Sequence, residues 1–128
     1  MEFHHAGIAT RDADGLADLY GSLFGTRVAH EEEFRGMLVR FLELDGGYLE
    51  LLEPRDDDGT IASYLDRNGP GLHHFAVATG DIEGALETAR EAGVELIDER
   101  PRPGAWGHRV AFLHPKSTGG VLFEFVEE

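Results

Sequence analysis

The sequence predicts an α+β protein built from two tandem βαβββ modules that form a curved mixed sheet around a cavity. The first observation is a repeat, because the segment HHAGIATRD at 4–12 returns at 73–81 as HHFAVATGD. The second is that a helical pattern and then strand patterns follow each copy. The third is an acidic residue late in an apolar strand of each half, Glu50 and Glu124. A duplicated chain of 128 residues can bury a substantial core, so we expect a single domain over 1–128.

The first module is predicted to span about residues 1–54. The apolar segment 3–10 predicts a strand, and Asp12 is the expected N-cap of a helix that Gly25 ends. Three antiparallel strands are expected at 28–33, 37–45 and 48–53, with a Gly-Gly turn before the last of them. The apolar positions of the helix are Leu16, Leu19, Tyr20, Leu23 and Phe24.

The second module is predicted at about 71–128, after a linker at about 55–70. The linker is polar and contains a short helix with Thr60 as its cap and its end at Asn68. The module begins with a strand over 72–79, and a helix runs from its cap at Asp81 to Gly93. Strands near 94–98, 108–114 and 120–127 complete the repeat.

Alternation along the repeated strand distinguishes the two histidines of each pair. Successive side chains point to opposite faces, so His5 shares a face with Gly7, and His74 shares a face with Ala76. The other face carries bulkier residues and suits packing against the helices. We therefore expect His5 and His74 to project into the cavity. A hydrogen-bonded core histidine would explain either residue alone, but not their recurrence at equivalent positions.

Glu50 and Glu124 each interrupt an apolar strand. Burial of a carboxylate is costly unless it is paired or bound to a metal, so these residues are the expected partners of the two histidines. Glu50 lies three residues after its glycine pair and Glu124 four, so a bulge or a shifted strand start is required. Glu53 and Glu127 are the competing candidates and are expected at the surface.

Imidazole nitrogens and carboxylate oxygens form a ligand set for a divalent metal. We expect one ion per chain. Its identity stays open, because Co, Mn, Ni, Zn and Mg all accept such ligands. The chain has no cysteine, which excludes thiolate zinc sites, disulfides and cysteine nucleophiles.

The chain is strongly acidic, with 25 acidic residues against 11 lysines and arginines and a formal net charge of −14. Molar salt screens the self-repulsion of such a surface, which favours a protein adapted to high salt over an ordinary acidic one. Nucleic acid and anionic membranes are not expected partners, because both require a basic face. The sequence has no recognisable signal peptide or membrane-spanning run, so a cytoplasmic protein is expected.

The whole chain resembles the vicinal oxygen chelate superfamily of paired βαβββ modules, which includes glyoxalase I, extradiol dioxygenases and fosfomycin resistance proteins. The segment FLHPKSTGGVLFE at 112–124 is the most specific of the motifs and is similar to methylmalonyl-CoA epimerases. The segments GLHH at 71–74 and GAWG at 104–107 share this similarity. The resemblance implies a metal bound by His5, Glu50, His74 and Glu124, the first acidic position being Gln in some members.

The resemblance also implies the reaction. Such an epimerase interconverts (R)- and (S)-methylmalonyl-CoA by removing the α-proton and returning it to the other face, through an enolate whose charge a divalent ion stabilises. The family gives the counterpart of Glu124 an acid–base role as well as a ligand role. The second base is left open between Glu50 and Glu43, since some bacterial epimerases have a glutamate where this chain has Val39.

The implied substrate is an acyl-CoA, whose phosphates require cations on an otherwise acidic protein. Lys116 and Arg109 are the first candidates for this contact, and Arg40 and Arg35 are further ones. A homodimer is usual in the superfamily and is expected here.

Other functions of the same fold remain as alternatives. A glyoxalase I-type lyase would use similar metal ligands, and only a substrate assay separates it from an epimerase. A non-epimerase resistance or binding protein is the second alternative. A non-enzymatic, drug-sequestering one would lack the four ligands, whose presence counts against it, whereas a thiol-dependent resistance enzyme stays open. An extradiol dioxygenase is disfavoured because such chains are usually about twice as long.

Overall fold

The computed structural model describes residues 1–128 and contains eight strands and three α-helices. The α+β class is confirmed, and each half follows the predicted order of one strand, one helix and three strands. No helix is long and apolar enough to cross a membrane. In chain order, the elements are β1 (Glu2–Ala9), α1 (Ala13–Phe24), β2 (Val28–Phe34), β3 (Met37–Leu44), β4 (Gly47–Pro54), α2 (Thr60–Asn68), β5 (Gly71–Ala78), α3 (Ile82–Glu91), β6 (Arg102–Pro103), β7 (Arg109–Leu113) and β8 (Phe123–Glu127), with 3₁₀ turns at Ala105–Gly107 and Pro115–Ser117.

The chain divides into two compact units, a first unit of residues 6–73 and a second unit of residues 1–5 and 74–128. In the first unit, β3 pairs antiparallel with both β2 and β4. Ile8 and Leu16 pack with Leu42 and Leu51 in its core, so the bulky face of β1 does pack against α1 as expected. Three apolar residues of the same helix, Leu19, Leu23 and Phe24, are exposed instead.

The second unit contains a mixed sheet. Strand β8 pairs in parallel with β5 and antiparallel with β7, which in turn pairs with β6. Helix α3 contributes Ile82 and Leu86 to a core with Leu113 and Phe125, on one face of this sheet. Successive strand residues alternate between faces, so Glu124 lies on the other face from its neighbour Phe125.

The strand expected near 94–98 is wrong. Leu96 forms an isolated bridge with Leu113, and the short strand β6 occurs later, at Arg102–Pro103. The amides of Ile97 and Asp98 both donate to the carbonyl of Phe112, so the regular ladder of hydrogen bonds is not continued there. The short linker helix also begins at Thr60, with Gly59 rather than Thr60 at its N-cap position.

A shifted strand start accounts for the one-residue offset between the two halves. Strand β4 begins at Gly47, inside its glycine pair, whereas β8 begins only at Phe123. In register, Glu50 lies opposite Phe41, and Glu124 lies opposite Phe112. Glu50 in the β3–β4 pair and Glu124 in the β7–β8 pair therefore each lie opposite a phenylalanine of the preceding strand.

The glutamates three residues further on bind the starts of helices. The first amide of α1, at Ala13, donates to Glu53 Oε1 at 2.7 Å, and the first amide of α3, at Ile82, donates to Glu127 Oε2 at 3.0 Å. The expectation that Glu53 and Glu127 are surface residues is wrong, because their side chains are only 18% and 20% exposed. Helix N-termini have unpaired amides and a positive dipole end, and both features favour a carboxylate there.

Candidate metal centre

Three side chains of the second unit converge on one buried point. His5 Nε2 lies 3.0 Å from His74 Nε2, and each of these nitrogens lies 3.1 Å from Glu124 Oε1. Strand β1 contributes His5, β5 contributes His74 and β8 contributes Glu124. Their exposed fractions are only 3%, 4% and 5%. Three of the four predicted metal ligands thus converge, although His74 lies 69 residues after His5 and Glu124 lies 50 residues after His74.

This geometry fits a bound divalent cation. Ligand atoms at adjacent positions around an ion with bonds of about 2.0–2.2 Å lie about 3 Å from one another. Glu124 Oε1 is buried and has no hydrogen-bond partner, although the Nε2 atoms of His5 and His74 each lie 3.1 Å away. A cation between the three atoms would satisfy this oxygen and both nitrogens together. The chemistry of the set, two imidazoles and one carboxylate, suits first-row transition metals.

Opposing effects act on the pKa of Glu124. Burial raises it, but the interactions with His5 and His74 lower it by more, so the pKa of Glu124 lies below its ordinary value. The carboxylate is therefore ionised at neutral pH. An ionised carboxylate is the form that binds a metal and the form that accepts a proton.

A second group of side chains adjoins the first. His4 Nδ1 lies 2.7 Å from His5 Nδ1, and His4 Nε2 lies 2.9 Å from Glu128 Oε2. The ring of His108 meets the His4 ring edge-on, with centroids 5.4 Å apart, and stacks on Trp106. Burial and the nearby His5 ring lower the pKa of His4 by more than the contact with Glu128 raises it. His4 is therefore uncharged at about pH 7.

The acidic residues of the first unit differ in their environments. Glu50 is buried on β4, with 7% of its surface exposed. Its role as the fourth ligand remains a prediction from the sequence. Glu43, the alternative second base, is more than half exposed and lies 3.5 Å from the guanidinium of Arg27.

The residues predicted to contact substrate lie outside the buried cluster. The Arg109 guanidinium donates to the carboxylates of Glu83 and Glu127, so it serves an ion-pair network at the start of α3. Lys116 is exposed on the 3₁₀ turn that follows β7, and its amide donates to Nδ1 of His114 at 3.0 Å. Their contact with substrate stays a prediction.

Several neighbours of the cluster were not predicted from the sequence. The Phe112 ring lies edge-on to His74, with centroids 5.6 Å apart, and Arg102 lies over the Phe112 ring at 5.4 Å. The doubled histidine at 4–5 was a visible signal for His4, but alternation alone placed His4 on the other face. Nothing in the local pattern marked Arg102.

The chain belongs to the glyoxalase/bleomycin resistance protein/dioxygenase superfamily, which matches residues 4–112. The expectation from the paired modules is thereby confirmed at the level of the superfamily.

Known relatives define a narrower group. The chain is 36% identical over 130 residues to the mitochondrial methylmalonyl-CoA epimerase of Dictyostelium discoideum, covering 99% of this chain and 78% of the relative. It is 34% identical to an ethylmalonyl-CoA/methylmalonyl-CoA epimerase of Cereibacter sphaeroides, with coverage of 94% and 93%. A variant of Streptomyces coelicolor methylmalonyl-CoA epimerase, solved in complex with 2-nitronate-propionyl-CoA, superposes with a TM-score of 0.94 at 36% identity. That superposition covers 100% of this chain and 97% of the other.

Proposed function

We propose that this protein is a metal-dependent epimerase that interconverts (R)- and (S)-methylmalonyl-CoA. The observation that carries the proposal is the buried convergence of His5, His74 and Glu124 in a chain whose relatives include methylmalonyl-CoA epimerases. An acyl-CoA substrate agrees with the ligand of the similar S. coelicolor structure. The competing lyase of the glyoxalase I type has no comparable support among these relatives.

The reaction is a transfer of one proton. The carbon between a thioester and a carboxylate is a weak acid, and its C–H electron pair moves into a C=C bond as the proton leaves and the carbonyl oxygen becomes negative. Epimerisation is complete when a proton returns to the opposite face of that carbon. A divalent ion bound by His5, His74 and Glu124 would supply positive charge for the carbonyl and carboxylate oxygens of the substrate.

Glu124 is the proposed acid–base residue. Its Oε1 faces the two imidazoles, which leaves Oε2 of the same carboxylate to take up the proton. The lowered pKa of Glu124 keeps the group in the form that accepts a proton.

If the substrate does not rotate within the site, a second acid–base group is needed to protonate the opposite face of the α-carbon. Glu50 is the first candidate for this role and for the fourth metal ligand. Its burial favours it over Glu43, whose carboxylate is exposed to water and close to Arg27.

Two partners are proposed, a coenzyme A ester and a second copy of this chain. Lys116 is the better candidate for contact with the coenzyme A phosphates, because the Arg109 guanidinium is already shared between two carboxylates. A homodimer is proposed on the superfamily resemblance alone.

We expect the protein to exchange the α-proton of methylmalonyl-CoA for deuterium and to interconvert the two epimers. The test is incubation with a single epimer in deuterated water, followed by NMR and mass spectrometry, with and without a chelator. Exchange that stops with chelator and returns with added divalent metal supports the proposal. Absence of exchange in the metal-loaded protein, together with turnover of the glyoxalase I thiohemiacetal substrate, would replace the epimerase by the lyase.

We also propose that the acidic surface is an adaptation to high salt. A net charge of −14 on 128 residues repels itself, and the Debye length shrinks to about 3 Å in molar salt. The melting temperature should therefore rise across a KCl series from low to molar concentration. A melting temperature that is flat or falls over this range contradicts the adaptation.

A further inference from the structure

A continuous path of short contacts runs outward from the candidate metal centre. It starts at His5 Nε2, which faces His74 and Glu124 at 3.0 and 3.1 Å. The other ring nitrogen of His5 lies 2.7 Å from His4 Nδ1, and the far nitrogen of His4 lies 2.9 Å from Glu128 Oε2. His4 is 4% exposed and the Glu128 side chain 60%, so the path links a buried ligand to a carboxylate in water.

The contacts determine where the ring protons lie if His5 binds a metal. A neutral histidine carries one proton on one of its two nitrogens. A ligand Nε2 has no proton, so His5 must carry its proton on Nδ1, and this N–H donates a hydrogen bond to His4 Nδ1. His4 then carries its own proton on Nε2 and donates it to the Glu128 carboxylate. This is the one arrangement in which every contact of the path has one donor and one acceptor.

The opposite arrangement would disable the site. If His4 donated from Nδ1 to His5 Nδ1, the proton of His5 would lie on Nε2 and point at His74 and Glu124. That nitrogen would then have no lone pair for a metal. The Glu128 carboxylate disfavours this state, because it is an acceptor that requires the His4 proton to be on Nε2.

We propose, on the basis of the metal site in the proposed function, that His4 is a positioning residue which, with Glu128, holds His5 in the tautomer that binds the metal. In this role His4 is not itself a metal ligand. It acts by accepting a hydrogen bond from the Nδ1–H of His5, as outer acceptors do for metal-binding histidines.

The same residues suggest a rival, a second metal site formed by His4, His108 and Glu128, whose ligand atoms lie within 4.8 Å of one another. A metal on His4 Nε2 would move the His4 proton to Nδ1. That proton would face the Nδ1 proton of His5 across 2.7 Å whenever the first site is occupied. The geometry therefore favours one metal with a hydrogen-bonded support over two metals.

The test uses Co²⁺ as the probe and measures its affinity by calorimetric titration and its absorption spectrum. His4→Leu removes the acceptor, and we expect Co²⁺ affinity to fall by about 10- to 100-fold. His4→Asn places an amide oxygen near the position of Nδ1, and we expect it to restore most of the affinity. His73→Leu is the matched control, because His73 also precedes a ligand histidine but lies edge-on to Tyr64, and it should leave the affinity unchanged.

A spectroscopic signature separates positioning from a merely structural role. In ¹⁵N-correlated NMR of the metal-free protein, His5 should be protonated on Nδ1 in wild type and His4→Asn, and shift toward the Nε2 tautomer in His4→Leu.

If His4→Leu does not fold, Glu128→Ala is the second variant. It should shift the His5 tautomer in the same direction and lower the Co²⁺ affinity by less, because it removes the outer acceptor and leaves the core untouched.

Each outcome bears on one of the two proposals. A folded His4→Leu protein with wild-type Co²⁺ affinity and an unchanged His5 tautomer overturns the positioning role, as does binding of two ions of which His4→Leu loses one. If His5→Ala also binds Co²⁺ normally, the metal site of the proposed function is itself wrong. Loss of binding in His5→Ala but not in His4→Leu overturns the positioning role alone.

Discussion

Glu124→Gln should abolish both epimerisation and solvent exchange of the substrate α-proton while the protein remains folded. The amide keeps an oxygen that can bind a metal, but it does not accept a proton as a carboxylate does. Loss of general base catalysis typically costs about 100- to 10,000-fold in rate. Metal affinity should fall only in part, so the variant separates the loss of proton transfer from the loss of metal binding.

The measurement compares deuterium exchange of the variant and the wild type at saturating metal, where reduced metal affinity no longer limits the rate. Glu95→Gln is a suitable control, because Glu95 is a solvent-exposed glutamate of the same unit, 3.9 Å from His114. Its exchange rate should match that of the wild type. If the metal-saturated Glu124→Gln protein exchanges deuterium at nearly the wild-type rate, Glu124 is only a ligand and Glu50 becomes the base to test next.

His5→Ala and His74→Ala should each remove stoichiometric binding of a divalent metal. Both nitrogens lie 3.1 Å from the same carboxylate oxygen, so removal of either leaves only two of the three convergent ligand atoms. Activity should fall with occupancy, because the positive charge beside the substrate oxygens is lost. Elemental analysis after gel filtration gives the stoichiometry, and titration gives the affinity.

His114→Ala is the matched control for these variants. His114 lies in the same unit, but its Nδ1 accepts a hydrogen bond from the amide of Lys116, and it belongs to neither histidine cluster. It should bind one ion per chain with wild-type affinity. Full stoichiometry and unchanged affinity in either His5→Ala or His74→Ala would show that the predicted ligand set is wrong. Glu50→Ala tests the fourth ligand in the same experiment.

Much of the site was predictable because the duplication repeats its ligands. A lone histidine in an apolar strand has several explanations, but His5 and His74 recur with the same alternation, which selected them over His4 and His73. The positions of the two glutamates were harder to predict, because the one-residue offset after the glycine pairs left undecided on which face of the sheet each side chain lies. Only the late start of β8, at Phe123, resolved that offset.

The contacts at the N-termini of α1 and α3 also show that local sequence predicts near partners and not distant ones. Asp12 and Asp81 are confirmed as N-caps, because each side chain accepts a hydrogen bond from the backbone amide three residues later. This contact lies within one helical turn, so the local sequence is enough to predict it. The glutamates that bind the first helical amides are 40 and 45 residues away from them in sequence. No local pattern predicts a partner at that distance, and Glu53 and Glu127 were accordingly expected at the surface.

The sequence by itself determined the duplicated βαβββ order, the N-caps of α1 and α3, the absence of thiol chemistry and the residue types of the candidate divalent metal site. These follow from periodicity, composition and capping, which act over a few neighbouring residues. Only the tertiary structure decided that His5, His74 and Glu124 lie about 3 Å from one another, and that His4 lies between His5 and Glu128. The reason is that alternation assigns a side chain to a face, whereas the distances between atoms on different strands depend on strand pairing, register and packing throughout the unit.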